Sequence, residues 1–190
     1  VGVPWSAARG LGKPHDIATR TALVRDGRPV ALLAVPDDPA YAAGITAVQQ
    51  ALAAKLPGVS LPVVKASSLV TGPAHAFTPA QLSAGAPHLI LLGDLNSNRA
   101  VARLYYEWQA FEDAAYPGAG GYTLRSVIDP EGRGWNAVIL GGPGPAEVAA
   151  AAQAFAETLA TDGHSLYAEY ALQVHWGEGR GAAEIRRRAQ

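Results

Sequence analysis

The stretch PVALLAVPDDPAYAAGITAVQQALAAKLPG, residues Pro29–Gly58, decides the fold class. It opens with an unbroken apolar run, Val30–Val35, which is typical of an inner strand covered on both faces. Pro36–Pro39 ends that run, and apolar residues then recur at steps of three and four: Tyr41, Ile45, Val48, Leu52 and Leu56. This spacing predicts an amphipathic helix that stops at the following Pro-Gly pair.

The same order of buried strand and helix recurs further along the chain. His88–Leu92 is predicted as a second buried strand, and a helix follows over about Ser97–Asp113. The apolar positions of that helix fall on one side, which predicts that Tyr105 and Trp108 lie in the core. A last helix is predicted at about Ala146–Ala160.

Two hairpins are predicted among these helices. The first covers residues 21–35, with Asp26-Gly27 as its tight turn, and the second covers residues 122–140 around a longer loop of turn residues. Because hairpins exclude a purely parallel doubly wound fold, we expect an α/β (α+β) protein. Its mixed β-sheet should carry about three packed helices.

The domain organisation follows from the chain length and from where the apolar periodicity of the predicted strands and helices begins and ends. The chain has 190 residues, which is room for one domain of ordinary size with tails. Residues 1–20 are predicted to form an N-terminal arm, residues 21–161 the α/β domain, and residues 162–190 an extension toward a neighbouring domain. The extension carries a second apolar set that we expect to lack a partner upstream: Tyr167, Tyr170, Leu172, Val174 and Trp176. Since methionine is absent, we expect a processed or excised piece of a longer protein.

Composition excludes several classes of function. Lys+Arg 15 against Asp+Glu 16 gives a net charge of −1, and without a basic run we expect no nucleic-acid partner. No apolar stretch approaches the roughly 20 residues of a membrane span. Cysteine is absent, which removes disulfides, thiolate nucleophiles and Cys-ligated metal sites.

Gly141–Pro145 lies between a predicted strand and a predicted helix, where phosphate-binding loops occur. Such loops point backbone N–H groups at the anion, and the two prolines of this segment have none. Glu147 in the first helical turn would also repel an anion. We therefore interpret the segment as a glycine turn followed by a helix start, and we expect positive φ at its first two glycines.

Asp94–Asn98 has the spaced oxygen ligands that open a calcium-binding loop. The glycine expected at the sixth position is Arg99, and the acid expected at the twelfth is Tyr105. These side chains are better interpreted as turn formers and helix caps. We expect no metal site here.

No catalytic constellation emerges from the remaining polar residues. The histidines are scattered through the chain: His15, His75, His88, His164 and His175. Asp37-Asp38 is predicted to lie in a turn, and Glu112-Asp113 to be solvated neighbours on a helix that point about 100° apart. No Gly-x-Ser-x-Gly elbow is present. We expect the chain alone to be no enzyme and to bind no cofactor.

Aromatic residues offer surfaces for stacking on sugars. Since periodicity assigns others to the core, the exposed candidates are Tyr106, Tyr116 and Trp135. The amide side chains of Asn96 and Asn98 complete the predicted glycan contacts.

One long segment carries a family resemblance. Tyr116–Leu159, preceded by HLILLGDLNSNRAVARLYYEWQAFEDAA, shows "I-L-L-G", then "G-Y-x-L-R", an apolar strand ending in Gly, and a helix with Gln153 and Phe155. Over about residues 21–161 the chain resembles the N-terminal α/β domain of bacterial carbohydrate-active enzymes. Its relatives there are the N-terminal domains of β-N-acetylhexosaminidases and α-glucuronidases, with a version ahead of heparinase-like regions.

The resemblance implies a non-catalytic accessory domain that packs on a downstream catalytic domain of the same polypeptide. The parent would be a glycoside hydrolase or polysaccharide lyase, and the location secreted, periplasmic or at the cell surface. A second hypothesis is a glycan or small-molecule binding module that uses three loops: Gly93–Asn98, Tyr116–Gly121 and Gly141–Pro145. A third is a small stand-alone hydrolase.

Overall fold

The computed structural model describes residues 20–71, 76–77, 87–132 and 134–177. Residues 1–19 of the predicted arm and residues 178–190 of the predicted extension lie outside the described residues. His15 and His75 do as well.

Runs of one to three strands are separated by helices along the described chain. In chain order the elements are β1 (Arg20–Arg25), β2 (Arg28–Pro29), β3 (Ala31–Val35), α1 (Ala42–Lys55), β4 (Val63–Lys65), α2 (Ala66–Leu69), β5 (Val70–Thr71), β6 (Ala76–Phe77), β7 (His88–Leu92), α3 (Arg99–Tyr106), β8 (Tyr122–Val127), β9 (Ala137–Gly141), α4 (Pro145–Phe155), β10 (Leu159–Asp162), β11 (Ser165–Glu169) and β12 (Leu172–His175). Short 3-10 turns precede α1 and follow α4.

A six-stranded sheet in the order β12-β8-β9-β7-β3-β4 forms the centre of the fold. Strands β4, β3, β7 and β9 are parallel, and β8 and β12 add to them in antiparallel fashion. Ile90 of β7 is paired with Leu33 of β3 on one side and with Val138 of β9 on the other. The predicted α/β class with a mixed sheet is confirmed, as is the hairpin over residues 122–140.

Helices cover both faces of this sheet, which explains the unbroken apolar runs. Alternate residues of a strand face opposite sides. Ile90 and Leu92 belong to the core cluster that includes residues of α1 and α4, whereas Leu89 and Leu91 belong to the cluster that includes residues of α2 and α3. Every residue of β9 is buried. Strands covered on both faces have no polar side to present to water.

The first predicted hairpin is shorter than expected. Strand β1 turns at Asp26-Gly27 and pairs with β2 only at Arg28 and Pro29. The chain then leaves for the central sheet, where β3 pairs with β4 and β7. Strand β1 lies in a separate four-stranded sheet in the order β10-β11-β1-β2.

The apolar set near the C-terminus does have partners upstream, so that expectation is wrong. Strand β11 pairs with β1 over Arg20–Val24, and β12 pairs with β8. Leu166 and Ala168 are fully buried. The boundary predicted after residue 161 falls within β10, and the residues that follow it are part of both sheets.

The helix predicted over Ser97–Asp113 is much shorter, because it stops after Tyr106. Trp108 has a left-handed backbone, with φ of 62°. Its N–H donates to Tyr105 O (3.0 Å), and Gln109 N–H donates to Leu104 O (2.9 Å). These two bonds form a Schellman cap, which ends a helix and is usually built on glycine.

None of the helices among the described residues is both long and apolar enough to cross a membrane.

Candidate functional site

A crevice opens at the carboxyl ends of β3 and β7. After β3 the chain enters α1 on one face of the sheet, and after β7 it enters α3 on the other. Adjacent parallel strands whose connections diverge in this way leave a gap, and open α/β sheets bind their ligands there. The crevice has a volume of about 370 Å³ and is lined by Pro36, Asp37, Asp38, Tyr41, Asp94, Asn96, Ser97, Ala114 and Pro143.

The Asp94 carboxylate holds one wall of the crevice together. Its Oδ1 accepts hydrogen bonds from Asn96 N (3.0 Å), Ser97 N (2.9 Å) and Ser97 Oγ (2.8 Å), and Asn96 Nδ2 donates to its Oδ2 (3.2 Å). Ser97 Oγ in turn accepts from Asp94 N (2.9 Å). The predicted role of these residues as turn formers is confirmed, and Asn96 is left exposed at the rim.

The Asn98 side chain forms hydrogen bonds with β3, β7 and the start of α3. Its Nδ2 donates to Leu92 O (2.8 Å) and Ala34 O (3.1 Å), and its Oδ1 caps α3 by accepting from Ala100 N (2.9 Å). The side chain is buried with its hydrogen bonds satisfied. The predicted glycan contact by Asn98 is therefore wrong, because the amide holds the loop in place instead.

The opposite wall carries two exposed carboxylates that follow β3. Asp38 Oδ1 accepts from Ala40 N (2.8 Å) and so caps the turn that leads into α1. Asp37 Oδ1 accepts from Ser67 Oγ (2.8 Å). Between the walls lies Tyr41, whose ring is buried. Burial raises the pKa of its hydroxyl, and a hydrogen bond with Ser97 opposes that shift.

The electrostatics of the crevice disfavour anions. Its charged lining residues among those described are Asp37, Asp38 and Asp94. Glu147, in the first turn of α4, also accepts from Gly120 N (3.0 Å). Its negative charge in the first turn of α4 opposes the binding of an anion at that helix N-terminus.

The interpretation of Gly141–Pro145 as a helix start is confirmed, with Gly144 as the N-cap and Pro145 in the first turn. The expected positive φ at Gly141 and Gly142 is wrong, since neither residue has one. Both glycines are required by close packing instead. A Cβ at Gly141 would overlap Glu112 and Thr123, and one at Gly142 would lie 2.6 Å from Glu147 Cβ.

Glu112 is fully buried, so its predicted exposure to solvent is wrong. Its Oε1 accepts from Arg125 Nε (2.9 Å) and Thr123 Oγ1 (3.1 Å), and its Oε2 accepts from Phe111 N (2.9 Å). Because α3 ends early, the segment after it folds back over β8 and carries Glu112 to the sheet.

Two tryptophans have the opposite burial to the one predicted. Trp135 is completely buried, whereas Trp108, predicted in the core, is 82% exposed. Tyr106 is exposed as predicted, and Tyr116 is half-buried against the edge of Trp176 (5.3 Å between centroids). Helical periodicity placed Trp108 wrongly because the helix had already ended.

The crevice brings together residues that lay apart in the sequence. Of the five predicted glycan contacts, only Asn96 lines it. Asp37, Asp38 and Tyr41 were not predicted as site residues, although their position just after a buried strand was a usable signal. No group of three or more His, Asp or Glu side chains among the described residues is arranged to hold a metal ion.

No protein-family model matches this sequence, and no curated protein matches it either.

Proposed function

We propose that this chain is a non-catalytic accessory domain of a carbohydrate-processing protein, and that its crevice positions a glycan segment of the substrate. The parent would be a glycoside hydrolase or polysaccharide lyase that acts outside the cytoplasm. Its catalytic domain, on the same polypeptide, would be the main partner. The family resemblance supports this parent and this location.

The crevice is the observation that carries the proposal. Asp37 and Asp38 present exposed carboxylates on one wall, and Asn96 presents an exposed amide on the other. Carboxylates accept hydrogen bonds and amides both donate and accept, which suits the neighbouring hydroxyls of a sugar ring. A concave site with a few converging polar groups is the usual form of a small-ligand site.

The charge of the crevice narrows the class of glycan. Three carboxylates line it, and none of the other lining residues is charged. A sulfated or carboxylated polysaccharide would be repelled, whereas a neutral glycan would meet acceptors for its hydroxyl protons. The proposal is therefore for a neutral segment.

The polar groups of the crevice wall support a positioning role more than a chemical one. Ser97 Oγ donates its only proton to Asp94 and accepts from the Asp94 amide. Both side chains are thereby committed to holding the loop. Asp94 Oδ1 also accepts from the backbone N–H groups of Asn96 and Ser97, which supports the carboxylate as the acceptor of a turn more than as a general base for a serine nucleophile.

A free-standing glycan or small-molecule binding module is the second candidate. It is favoured by the meeting of two of the predicted loops, Gly93–Asn98 and Gly141–Pro145, at the crevice. A catalytic domain encoded in the same reading frame would support the accessory role, and its absence from that frame would favour the module.

Isothermal titration with cellohexaose, xylohexaose and chitohexaose tests the binding. At least one of these neutral oligosaccharides should bind with a saturable isotherm, and Asn96→Ala and Asp37→Asn should each weaken it about tenfold. Gln173→Ala, at an exposed polar position on β12, is the matched control and should bind as the unaltered chain does. If Asn96→Ala and Asp37→Asn bound the oligosaccharide as tightly as Gln173→Ala does, the assignment of the crevice would be contradicted.

A further inference from the structure

A second depression lies over β8 and the start of β12. It is near the beginning of β9, whereas the crevice is near the end of β9. It has a volume of about 480 Å³ and is lined by Gln109, Arg125, Ser126, Val127, Ile128, Asp129, Pro130, Tyr170 and Leu172. None of these residues lines the crevice. We call this depression the Arg125 groove.

Arg125 is held rigidly at the floor of the groove. Its Nε donates to the fully buried Glu112 carboxylate (2.9 Å), and its guanidinium lies over the Phe111 ring at 4.9 Å from the centroid. A hydrogen bond with the Tyr116 hydroxyl adds a third contact. A buried carboxylate is costly to desolvate, and here it orients a guanidinium whose side chain remains 12% exposed.

The groove also offers polar and apolar partners beside this guanidinium. Gln109 Nε2 donates to Pro130 O (3.0 Å), while its buried Oε1 has no hydrogen-bond partner. Tyr170 and Leu172 are 53% and 58% exposed and supply apolar walls. Leu172 lies directly opposite Arg125 in the β8–β12 pairing.

We propose that the Arg125 groove binds a small organic monocarboxylate. The ligand carboxylate accepts from the terminal N–H groups of Arg125, and its ring or alkyl face packs on Tyr170 and Leu172. A single negative charge is specified, because Asp129 lines the same groove and would repel a dianion more strongly than a monoanion. Asp129 Oδ1 itself accepts from Gly134 N (2.6 Å).

The test is a nuclear magnetic resonance titration of the full 190-residue chain with sodium benzoate. Benzamide lacks the charge, acetate lacks the ring, and phenyl phosphate carries a second charge. Benzoate should shift the amides of β8 and β12 with saturation, and should bind about tenfold more tightly than each of the other three. Unsaturable shifts, or equal binding of benzoate and benzamide, would overturn the proposal.

Two matched variants locate the site. Leu172→Glu places a carboxylate opposite Arg125, whereas Gln173→Glu adds the same charge one residue away on the other face of β12. Leu172→Glu should weaken benzoate binding about tenfold or more, and Gln173→Glu should leave it nearly unchanged. Tyr170→Ala, which removes an exposed wall, serves the same purpose if Leu172→Glu does not fold. Equal effects of the two charged variants, or no effect of Tyr170→Ala, would show that benzoate binds elsewhere.

Discussion

The backbone conformation of Trp108 decides where α3 ends and leaves the Trp108 side chain exposed. Its left-handed φ of 62° ends α3, and it leaves the indole 82% exposed. A side chain with a bulky Cβ substituent is strained in that region, and such strain is most often retained at sites with a function. Tyr106, two residues earlier in the sequence, is exposed as well.

Replacing Trp108 with Gly should stabilise the fold. Glycine adopts the left-handed conformation without strain, so the free energy of unfolding should rise by about 1 kcal/mol. Urea denaturation measures it. Trp108→Ala keeps the Cβ and should show no such gain. If Trp108→Gly were instead less stable than the unaltered chain, this account would be contradicted. The indole would then stabilise the fold by packing, despite its exposure.

Gly141→Ala should destabilise the fold because there is no room for a methyl group between Glu112 and Thr123. Overpacking of this kind costs about 1–3 kcal/mol. The control is Gly144→Ala, where the added Cβ would meet only the flexible end of Glu147 at 3.0 Å. Thermal melts of both variants would contradict this account if their midpoints fell by the same amount.

His88 should make the stability depend on pH. Burial, helped by the nearby Arg25, lowers the pKa of His88, and its Nδ1 accepts a hydrogen bond from Asn136 N (2.9 Å). The unfolded chain, with a His pKa of about 6.5, therefore binds the proton more readily than the folded chain does. Stability should fall as the pH drops below about 6.5, and it should level off below the lowered pKa of the folded state. Urea midpoints between pH 8 and pH 5.5 measure this loss. His88→Gln should flatten the profile, and an unchanged slope would contradict the assignment.

At the level of whole elements, the strands near the C-terminus tie the two sheets together. Strand β11 lies between β10 and β1 in the smaller sheet, and β12 forms one edge of the larger sheet beside β8. Two glycines fix the end of this segment, because a Cβ at Gly121 or Gly177 would overlap the backbone opposite. The last described strands are therefore integral to the domain.

Truncation after Gly163 should abolish cooperative folding, since it removes β11 and β12 and exposes the core around Leu23 and Val24. Truncation after Gly177 retains every described strand and should leave the thermal transition almost unchanged. Differential scanning calorimetry of both chains measures the difference. A cooperative melt of the shorter chain would show that the strands beyond residue 163 are dispensable.

Sequence patterns predicted the elements whose signals are local. The apolar runs of β3, β7 and β9, the helices α1 and α4, and the β8–β9 hairpin all lie where periodicity and turn residues place them. The pairings of β11 with β1 and of β12 with β8 join segments more than forty residues apart, and no local pattern specifies them. The end of α3 was missed because its cap uses Trp108 where glycine is expected.

The same reasoning explains the partial prediction of the candidate site. Asn96 was found because loop composition marks it. Asp37, Asp38 and Tyr41 become site residues only through the parallel pairing of β3 with β7, which brings their loops together. Trp135 and Asn98 were misassigned because burial depends on tertiary packing.

For the molecule as a whole, the two depressions differ in place and in chemistry. The crevice at the carboxyl ends of the parallel strands is lined by three carboxylates, and the Arg125 groove near the opposite end of β9 presents a guanidinium between apolar walls. The central claim is that the crevice positions a neutral glycan without cleaving it.

Amide shift mapping with neutral and anionic oligosaccharides tests that claim most directly. We expect cellohexaose, xylohexaose or chitohexaose to shift the amides of residues 36–41 and 94–97 with saturation, without cleavage products in the same tube. A heparin hexasaccharide should shift none of them. Saturable shifts confined to other surfaces, preferential binding of the heparin oligosaccharide in the crevice, or hydrolysis of the bound oligosaccharide would contradict the account.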